Sequence, residues 1–313
     1  MHADNAAAET VVITGAFSYT GKYATRFLLN RGYKVRTLTY HPERHNPFGD
    51  KVEVFPYNFD HPDQLCQTLR GASILINTYW VRFPRGKSTF EAAVQNTRRL
   101  IGAAKEAGVQ RIVHVNIANP SLQSPLAYYR GKAQLEETVI ASGLSYAILR
   151  PTVIYGTEDI LINNIAWFVR RFPVFGIPGD GRYGIRPIYV EDMARLIVDA
   201  VSQQGNTVVD AVGPETFTFE ELVKLIAEQV RRRVRMLHLP MSLAYVATLT
   251  TGWWVRDVVL TWEEYKGLMA NLLAPEGPST GQARLTEWLA QNHDRVGRGY
   301  ASEVERHYAK RNA

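Results

Sequence analysis

Cysteine is nearly absent from this 313-residue chain, and Cys66 is its single example. One cysteine excludes an internal disulfide and fits a reducing compartment, so we expect a cytoplasmic protein. No cysteine and histidine spacing typical of zinc sites occurs, and no metal site is expected. The first ten residues lack the basic and apolar regions of a secretory signal, which predicts that the chain is not secreted.

Long hydrophobic runs are also missing, because no uninterrupted apolar stretch reaches the ~20 residues that cross a bilayer. We therefore expect no integral membrane segment. Residues 241–255 come nearest, and we predict that they form a buried or pocket-covering helix. A helix lying on a membrane surface is the alternative.

Strong charge is lacking as well, since the net charge is only +6. The densest basic run, residues 231–235, is expected at a solvated helix end or in an edge strand. No zinc-finger or RNA-binding signature accompanies it, so no nucleic-acid partner is expected. An anionic substrate or a cofactor phosphate is a simpler use of this charge.

The first half of the chain alternates short apolar strands with amphipathic helices. This alternation predicts an α/β fold of the Rossmann type, with a doubly wound parallel sheet and ligands at the carboxyl ends of its strands. The strands are predicted at 11–14, 34–40, 52–58, 73–79, 111–117 and 145–156, and the helices at 21–31, 62–70, 88–107 and 124–142.

The pattern changes after residue 156, which suggests a smaller, mostly helical C-terminal substrate lobe. We predict a dinucleotide-binding domain at 10–156, rejoined by about 186–213, and a substrate lobe at 157–185 and 214–313. Helices are expected at 160–171, 191–203 and 217–230, a loop at 176–184 and a strand at 207–212. Thr218 and Glu221 have the spacing of a capping box. Trp167 and Trp253 are among the lobe's aromatic residues that suggest an apolar substrate, with core packing as the alternative.

The segment TGAFSYTG lies between a predicted strand and a predicted helix, as a dinucleotide fingerprint requires. Gly15 allows a tight turn, and Gly21 lets the helix approach the strand. Ser18 stands at the middle small position. Backbone N–H groups at the helix start would then face a pyrophosphate. An ordinary strand–turn–helix connection is the alternative.

The end of the second strand bears on the choice of cofactor. An acidic residue there would favour NAD by binding the ribose hydroxyl, but this chain has Tyr40 and His41, with Arg44 close behind. We therefore expect NADP(H), with NAD as the alternative. Asp60, after the third strand, has the polarity to bind an adenine edge, or it lies at the start of the next helix.

Tyr128 and Lys132 are four residues apart on a predicted helix, so they share one face. A positive charge on Lys132 would favour the phenolate form of Tyr128, which could then act as a general acid or base. An exposed tyrosine with a solvated lysine is the alternative.

With these motifs, the chain resembles the atypical or extended short-chain dehydrogenases/reductases, in particular the NAD(P)-binding epimerase/dehydratase group. It is also similar to the dehydrogenase-like accessory subunit of respiratory complex I. The resemblance rests on TGAFSYTG, Asp60, INTY, Asn96, YYRGK, RPTVIYG and RPIYVEDMA.

This resemblance implies roles for further residues. Lys132 and Tyr128 would hold the nicotinamide ribose, and Arg186 would reach a substrate diphosphate. Other residues are expected to line the phosphates (Phe17, Ser18, Tyr19, Thr20), to border the cofactor (Asn77, Thr78, Tyr79) or to contact the carboxamide (Pro151, Thr152, Val153).

One position departs from the family pattern. The fifth strand usually ends in a Ser or Thr that polarises the substrate oxygen, but here Asn116 or Ile117 fills that position. The amide of Asn116 can donate a hydrogen bond, whereas Ile117 cannot, and Ser121 and Ser124 are nearby substitutes. Losing one such donor typically costs ~10²–10³ in turnover.

Three functions remain open at this stage. The first is an NAD(P)H-dependent oxidoreductase acting on a small, fairly apolar carbonyl, alcohol or enone, with Tyr128, Lys132 and Asn116 as catalytic residues and Trp167 and Arg186 contacting substrate. The second is a dinucleotide-binding sensor or assembly factor without turnover. The third is a nucleotide-sugar epimerase or dehydratase. The oligomeric state stays open, with a homodimer as one candidate.

Overall fold

The computed structural model describes residues 9–307. Residues 1–8 and 308–313, where the expectation about a secretory signal and the end of the substrate lobe fall, lie outside the described residues. The chain divides into two compact units. Unit 1 contains the described residues up to Arg150 together with Met193–Val209, and unit 2 contains Pro151–Asp192 together with the described residues from Asp210 onward.

The strands are short, and most of them lie in the first two thirds of the chain. They are β1 Thr10–Thr14, β2 Lys34–Thr39, β3 Val52–Pro56, β4 Ile74–Asn77, β5 Arg111–Val115, β6 Ser145–Pro151, β7 Ile154–Tyr155, β8 Val174–Pro178, β9 Gly184–Ile185, β10 Ile188–Tyr189, β11 Thr207–Ala211, β12 Phe217–Thr218 and β13 Arg235–Leu239.

Helices follow most of these strands. They are α1 Tyr19–Asn30, α2 Pro62–Leu69, α3 Phe90–Glu106, α4 Ala127–Ala141, α5 Leu161–Arg171, α6 Val190–Ser202, α7 Phe219–Gln229, α8 Met241–Val255, α9 Trp262–Met269, α10 Leu285–Asn292 and α11 Glu303–His307. Within the described residues, none of these helices combines the length and the apolar character needed to cross a membrane.

A seven-stranded sheet organises unit 1, in the order β3-β2-β1-β4-β5-β6-β11. The strands β1 to β6 pair in parallel, so their carboxyl ends lie at one edge. The order reverses between β1 and β4, and such a switch point is where doubly wound sheets bind ligands. The predicted α/β Rossmann-type fold is therefore confirmed.

Both faces of this sheet are covered by helices, and the central strands are accordingly apolar throughout. Val11, Val12 and Ile13 of β1 are fully buried. Val12 and Leu75 share a core cluster with Leu100 of α3. This two-sided burial explains why the sequence shows continuous apolar runs in place of alternation.

Unit 2 has its own core and three two-stranded ladders, β10-β7, β12-β9 and β13-β8. Tyr155, Ile162 and Leu222 belong to its core cluster, which α5, α7 and α10 help to enclose. Helix α7 begins with a capping box between Thr218 and Glu221, as the spacing predicts.

Three local predictions are wrong. Helix α1 begins at Tyr19, two residues before the predicted start, because Ser18 is its N-cap. The predicted loop at 176–184 is partly strand, since β8 runs to Pro178 and β9 begins at Gly184. Helix α8 forms over 241–255 as expected, and the expected burial is wrong, because only Ala244 and Gly252 of its residues are buried. The alternative in that prediction, a helix that covers a pocket, agrees with Trp254 and Val255 lining a cavity.

Candidate functional site

The turn between β1 and α1 has the backbone geometry that a phosphate-binding loop needs. Gly15 adopts a φ of +69°, which an L side chain rarely tolerates. Gly21 lies so close to the turn that a Cβ there would be 2.0 Å from the carbonyl oxygen of Gly15. Any larger residue at Gly21 would push the helix away from the strand.

Ser18 caps α1, because its hydroxyl accepts a hydrogen bond from the N–H of Gly21 at 3.3 Å. No acidic residue lies in the first turn, so nothing there repels an anion. The helix N-terminus also carries the positive end of the helix dipole. Tyr19 and Thr20 form this first turn, and Phe17 before it stacks on Phe48 with ring centroids 6.4 Å apart. The turn at residues 15–18 and the N-terminus of α1 could therefore bind the pyrophosphate of a dinucleotide.

Hydrogen bonds join the end of β1 to the end of β4 at the switch point. The hydroxyl of Thr14 accepts from the N–H of Thr78 at 2.7 Å, and the hydroxyl of Thr78 donates to the carbonyl of Thr14 at 2.5 Å. Asn77 is fully buried and accepts from Thr14 and from the N–H of Tyr79. The buried Asn77 thus stabilises the carboxyl ends of β1 and β4 from the interior, while Thr78 is partly exposed at the surface of the same site.

An aromatic cluster occupies the ends of β2, β3 and β4. The hydroxyls of Tyr40 and Tyr79 are 3.0 Å apart, and Asn96 on α3 donates to Tyr79 at 3.1 Å. Tyr57 and Phe59 stack beside them, with ring centroids 4.7 Å apart. Tyr40 is 54% exposed, but partial burial of its hydroxyl and the hydrogen bond to Tyr79 raise its pKa, so this group stays protonated. The structure therefore brings together two predicted cofactor residues, Tyr40 and Tyr79.

Of the two charged candidates for this end of the cofactor, Asp60 is exposed and Arg44 is half-buried. Asp60 accepts a hydrogen bond from Arg99 at 3.1 Å, and its side chain is 89% exposed. Arg44 lies in the segment between β2 and β3, where its N–H donates to the carbonyl of His41 at 3.1 Å. Thr39, the last residue of β2, carries no carboxylate, and the next one along the chain, that of Glu43, lies 3.4 Å from the Nδ1 of His41.

Helix α4 carries the predicted tyrosine–lysine pair on one face. Lys132 is 3% exposed, and its ammonium donates to the carbonyl of Val115, the last residue of β5, at 3.2 Å. Burial lowers the pKa of Lys132 to about 7, because an ammonium away from water is costly. Lys132 can therefore gain or lose a proton near neutral pH.

Trp80, directly after the predicted fourth strand, holds this pair in place. The ammonium of Lys132 lies 4.8 Å from the centroid of the Trp80 ring, and Tyr128 meets the same ring edge-on at 5.6 Å. Phe90 stacks on the indole with an interplanar angle of 4° and meets Tyr128 edge-on at 5.6 Å. Gly131 leaves room for it, since a Cβ there would be 2.9 Å from the indole.

Asn116 is buried and hydrogen-bonded to a carboxylate. Its amide nitrogen donates to Glu136 on α4 at 2.7 Å, and Arg150 grips the same carboxylate through two nitrogens. One of the two amide hydrogens of Asn116 is thus committed to Glu136. The side-chain oxygen of Asn116 is buried without a hydrogen-bond partner among the described residues.

His114 lies near the end of β5, two residues before Asn116, and is fully buried. Its Nδ1 is 3.0 Å from the amide nitrogen of Asn77. Burial and, second, the charge of Lys132 lower the pKa of His114 to about 3, so the ring is neutral. A neutral His114 adds no second positive charge beside Lys132.

Residues 15–204 match a family of proteins described as NAD(P)H-binding. The chain belongs to this NAD(P)H-binding family. The match covers the phosphate turn, the aromatic cluster and the face of α4 described above. It confirms the predicted likeness to atypical short-chain dehydrogenases/reductases.

Curated relatives extend the comparison beyond the family. Subunit 9 of the mitochondrial NADH dehydrogenase [ubiquinone] 1 alpha subcomplex from Arabidopsis thaliana is 29% identical over 74% of this chain and 60% of its own length. This chain thus spans well under two thirds of that relative. A ceramide reductase from Caulobacter vibrioides is 27% identical over 74% of this chain and 73% of its own length.

Among solved structures, a nucleoside-diphosphate-sugar epimerase from Staphylococcus aureus superposes with a TM-score of 0.74. The superposition covers 90% of this chain and 99% of the epimerase, at 16% identity. At that identity the likeness concerns the fold.

The remaining predicted residues of this NAD(P)H-binding chain lie in unit 2. The hydroxyl of Thr152 donates to the carbonyl of Arg186, and the carbonyl of Val153 accepts from Ile188 at 2.8 Å. Pro151 ends β6. The contacts of Pro151, Thr152 and Val153 with a carboxamide stay predictions.

Arg186 and Trp167 have other partners in the structure than the predicted substrate. The guanidinium of Arg186 is buried and donates to the carbonyls of Gly213, Pro275 and Gly277. Trp167 lines a cavity of about 430 Å³, together with Trp254 and Tyr300. A substrate role for either residue stays a prediction, and Arg186 joins two backbone segments, one at Gly213 and one at Pro275 and Gly277.

Sequence reasoning missed Trp80 and Glu136. Glu136 follows Lys132 by four residues, as Lys132 follows Tyr128, so helical spacing could have found it. Trp80 comes one residue after the INTY segment, but nothing in the sequence shows that its ring reaches α4.

Proposed function

We propose that this chain is an NADP(H)-dependent oxidoreductase of the atypical short-chain type, acting on a fairly apolar carbonyl, alcohol or enone. The observation that carries the proposal is the face of α4, where the buried Lys132 lies one turn from Tyr128. A buried lysine with a pKa of about 7 is unusual for packing alone, and perturbed groups cluster at functional sites.

Each residue has a distinct part in this proposal. When bound, the nicotinamide would supply or accept the hydride. Tyr128 would donate its phenolic proton to the substrate oxygen during reduction and take it back during oxidation. Lys132 would exchange a proton with its surroundings near neutral pH, and Trp80 would orient both side chains.

The preference for NADP(H) over NAD(H) belongs to the same proposal. It rests on the end of β2, where Thr39 and Tyr40 stand in place of an acid and Arg44 follows. A carboxylate there would repel a ribose phosphate, whereas an arginine attracts it. The expected cytoplasmic location and a homodimeric state also stay predictions.

The substrate class is proposed as apolar. The similarity to a ceramide reductase supports this choice and adds a lipid carbonyl to the compounds worth testing. A nucleotide-sugar substrate has less support, because the guanidinium of Arg186 is committed to backbone carbonyls.

A second function is favoured by one observation. Asn116 stands where a hydroxyl residue is usual, and its amide is tied to Glu136. A chain that binds the dinucleotide without turnover, as a sensor or assembly factor, needs no such hydroxyl. Tyr128 and Lys132 would then serve only to grip the ribose.

Turnover by the Tyr128→Phe variant separates the two functions. NADPH oxidation is followed against aldehydes, quinones, enones and a lipid carbonyl. On any substrate that is reduced, we expect Tyr128→Phe to lower kcat by roughly 10²–10⁴, a much larger effect than the loss of cofactor affinity from one missing ribose contact. The adjacent Tyr129→Phe is the matched control, since Tyr129 is buried on another face of α4.

Two results would count against catalysis. Full activity in Tyr128→Phe would remove the phenol from the mechanism. Tight cofactor binding with no turnover of any compound would favour the sensor or assembly function.

A further inference from the structure

Helix α8 in unit 2 presents its large apolar side chains outward. Trp253 is 86% exposed, Trp254 59% and Leu243 57%, and Val246 and Leu249 are more than half exposed. Leu243, Val246, Leu249 and Trp253 are three or four residues apart and so share one side of the helix, and Trp254 widens this side by one position. Exposed apolar surface of this kind usually marks an interaction site.

The opposite side of α8 packs inward through small residues. Gly252 fits closely, because a Cβ there would be 2.6 Å from the carbonyl of Asp257. Ala244 is buried, and its carbonyl accepts from the hydroxyl of Tyr265 at 3.3 Å. The small residues of α8 therefore pack against the rest of unit 2. Its large apolar side chains face outward and are free to contact an apolar surface.

The polar groups of α8 suit an apolar environment. Thr248 donates to the carbonyl of Ala244 at 2.9 Å, and Thr250 and Thr251 both donate to the carbonyl of Ala247. With these hydroxyls satisfied inside the helix, little desolvation cost remains. At a rise of about 1.5 Å per residue the helix is roughly 22 Å long, so it cannot cross a core of about 30 Å.

The apolar surface continues beyond the helix. Phe172 is 39% exposed and lies against Trp254, with ring centroids 6.1 Å apart. Val174 of β8 and Leu237 of β13 are also exposed, and these strands pack against α8. We call α8 with Phe172, Val174 and Leu237 the apolar face of unit 2.

Positive charge borders the apolar face. Residues 229–256 contain five arginines and no acidic residue. The arginines at 231–233 and 235 are exposed and lead into β13, and Arg256 ends α8. Two carboxylates lie beside the end of α8: Asp257 is buried and accepts from backbone N–H groups, and Glu305 lines the cavity with Trp254. Further along, Glu220 pairs with Lys224 and His238, and Glu264 caps α9 at Thr261.

We propose that the apolar face of unit 2 docks on an anionic phospholipid bilayer, with the five arginines at the headgroups. Tryptophans prefer the membrane–water boundary, and arginines beside an inserted apolar face bind anionic lipid. A protein partner would need a complementary acidic rim, whereas a bilayer supplies negative charge and an apolar phase together. This inference does not depend on the proposed reaction.

Binding to vesicles tests the proposal with the full chain. Vesicles of phosphatidylcholine with phosphatidylglycerol are compared with pure phosphatidylcholine, by sedimentation. We expect binding to the anionic vesicles that weakens in high salt. Bromine attached to the lipid chains should quench tryptophan fluorescence, and a Trp253→Phe variant should lose part of that quenching.

Substitutions on the face locate the contact. Leu249→Glu should weaken vesicle affinity by about tenfold or more, since a charge replaces an inserted apolar group. Glutamine at all three of Arg231, Arg232 and Arg233 should weaken it by roughly a hundredfold. Both variants keep the small inward face of α8, so the fold should be unchanged by circular dichroism.

Matched controls lie in unit 1. Ile140 on α4 is 46% exposed, and Ile140→Glu should leave vesicle affinity within about twofold. Glutamine at the exposed Lys34, Lys51 and Lys87 removes the same net charge from elsewhere on the chain. This triple variant should lose far less affinity than the arginine variant.

Three outcomes would overturn the proposal. One is no binding to anionic vesicles. Another is binding that Leu249→Glu leaves unchanged. The last is a vesicle-free dimer that Leu249→Glu converts to a monomer while lipid binding is absent, because a second copy of the chain would then be the occupant.

Discussion

At the scale of single residues, Lys132 is the most constrained group in unit 1. Its ammonium has one carbonyl partner, the oxygen of Val115, and one aromatic partner, the ring of Trp80. Neither partner carries a negative charge, so the desolvation cost of the ammonium is only partly offset. Sequence spacing predicted the pair with Tyr128, but it could not predict this burial, which depends on how α4 lies on β5.

The buried lysine should make stability depend on pH in a defined direction. The pKa of Lys132 is about 7 when folded, against 10.5 ordinarily, so between these values the unfolded chain binds more protons. Rising pH therefore favours the folded state there, by at most about 1.4 kcal/mol per pH unit. Below pH 7 both states are protonated, and the full cost of the buried charge is present.

Lys132→Met removes this dependence. The free energy of unfolding of the variant should exceed that of the wild type by the largest amount below pH 7. This difference should shrink steadily as the pH rises towards 10. Urea unfolding at several pH values measures the difference. Lys105→Met, at an exposed position on α3, is the control and should show a nearly constant difference. A constant difference for Lys132→Met as well would contradict the burial of its ammonium.

At the scale of elements, the regular helices and strands of unit 1 followed from local pattern. Short apolar runs predicted β1, β4 and β5 within a few residues, because strands buried on both faces need such runs. Helix α8 was predicted to be buried or to cover a pocket; it is not buried, although Trp254 and Val255 line a cavity. Its glycine and alanine pack inward, and composition does not reveal which face a helix presents.

Two helical glycines give an element-scale prediction. Gly102 on α3 has open space where a Cβ would be, so Gly102→Ala should stabilise the chain by up to about 1 kcal/mol. At Gly131 on α4 the Cβ would be 2.9 Å from the Trp80 indole, which is itself stacked on Phe90. Gly131→Ala should therefore destabilise by about 1–3 kcal/mol, despite the same gain in helix propensity.

Chemical denaturation compares these two variants directly. Near-ultraviolet circular dichroism should also change in Gly131→Ala alone, since the indole of Trp80 must move. If Gly131→Ala stabilised the chain as much as Gly102→Ala, the indole would not be held against α4. Trp80 would then lose its assigned part in positioning Lys132.

At the scale of the whole molecule, the alternation of strands and helices predicted a doubly wound parallel sheet. It did not predict what individual side chains of unit 2 bind. Arg186 illustrates the difficulty, because the sequence marks it as a substrate arginine while its guanidinium binds three backbone carbonyls. Those carbonyls belong to Gly213, Pro275 and Gly277, which lie 27, 89 and 91 residues from Arg186 along the chain. Long-range contacts of this kind leave no local pattern.

Ligand-linked stability tests the cofactor on the whole chain. A dinucleotide that binds only the folded state stabilises it by about 2.7 kcal/mol at a hundred times its Kd. We expect NADPH to raise the midpoint of thermal unfolding more than NADH does at equal concentration. Hydrogen exchange should slow in β1 and the first turn of α1, where Ser18 caps the helix.

Arg44→Gln should remove the preference for NADPH. A charge-assisted hydrogen bond to a phosphate is worth about 1.5–3 kcal/mol, so NADPH affinity should fall roughly tenfold or more while NADH affinity stays the same. Arg26→Gln, at an exposed position on α1, makes the same charge change as a control and should alter neither affinity. Equal or tighter NADH binding by the wild type would overturn the NADP(H) preference.

If neither dinucleotide raised the midpoint of thermal unfolding, the turn at Gly15 would have to bind another anion. The N-terminus of α1 and the close packing of Gly21 on Gly15 fit a phosphate, whatever molecule carries it.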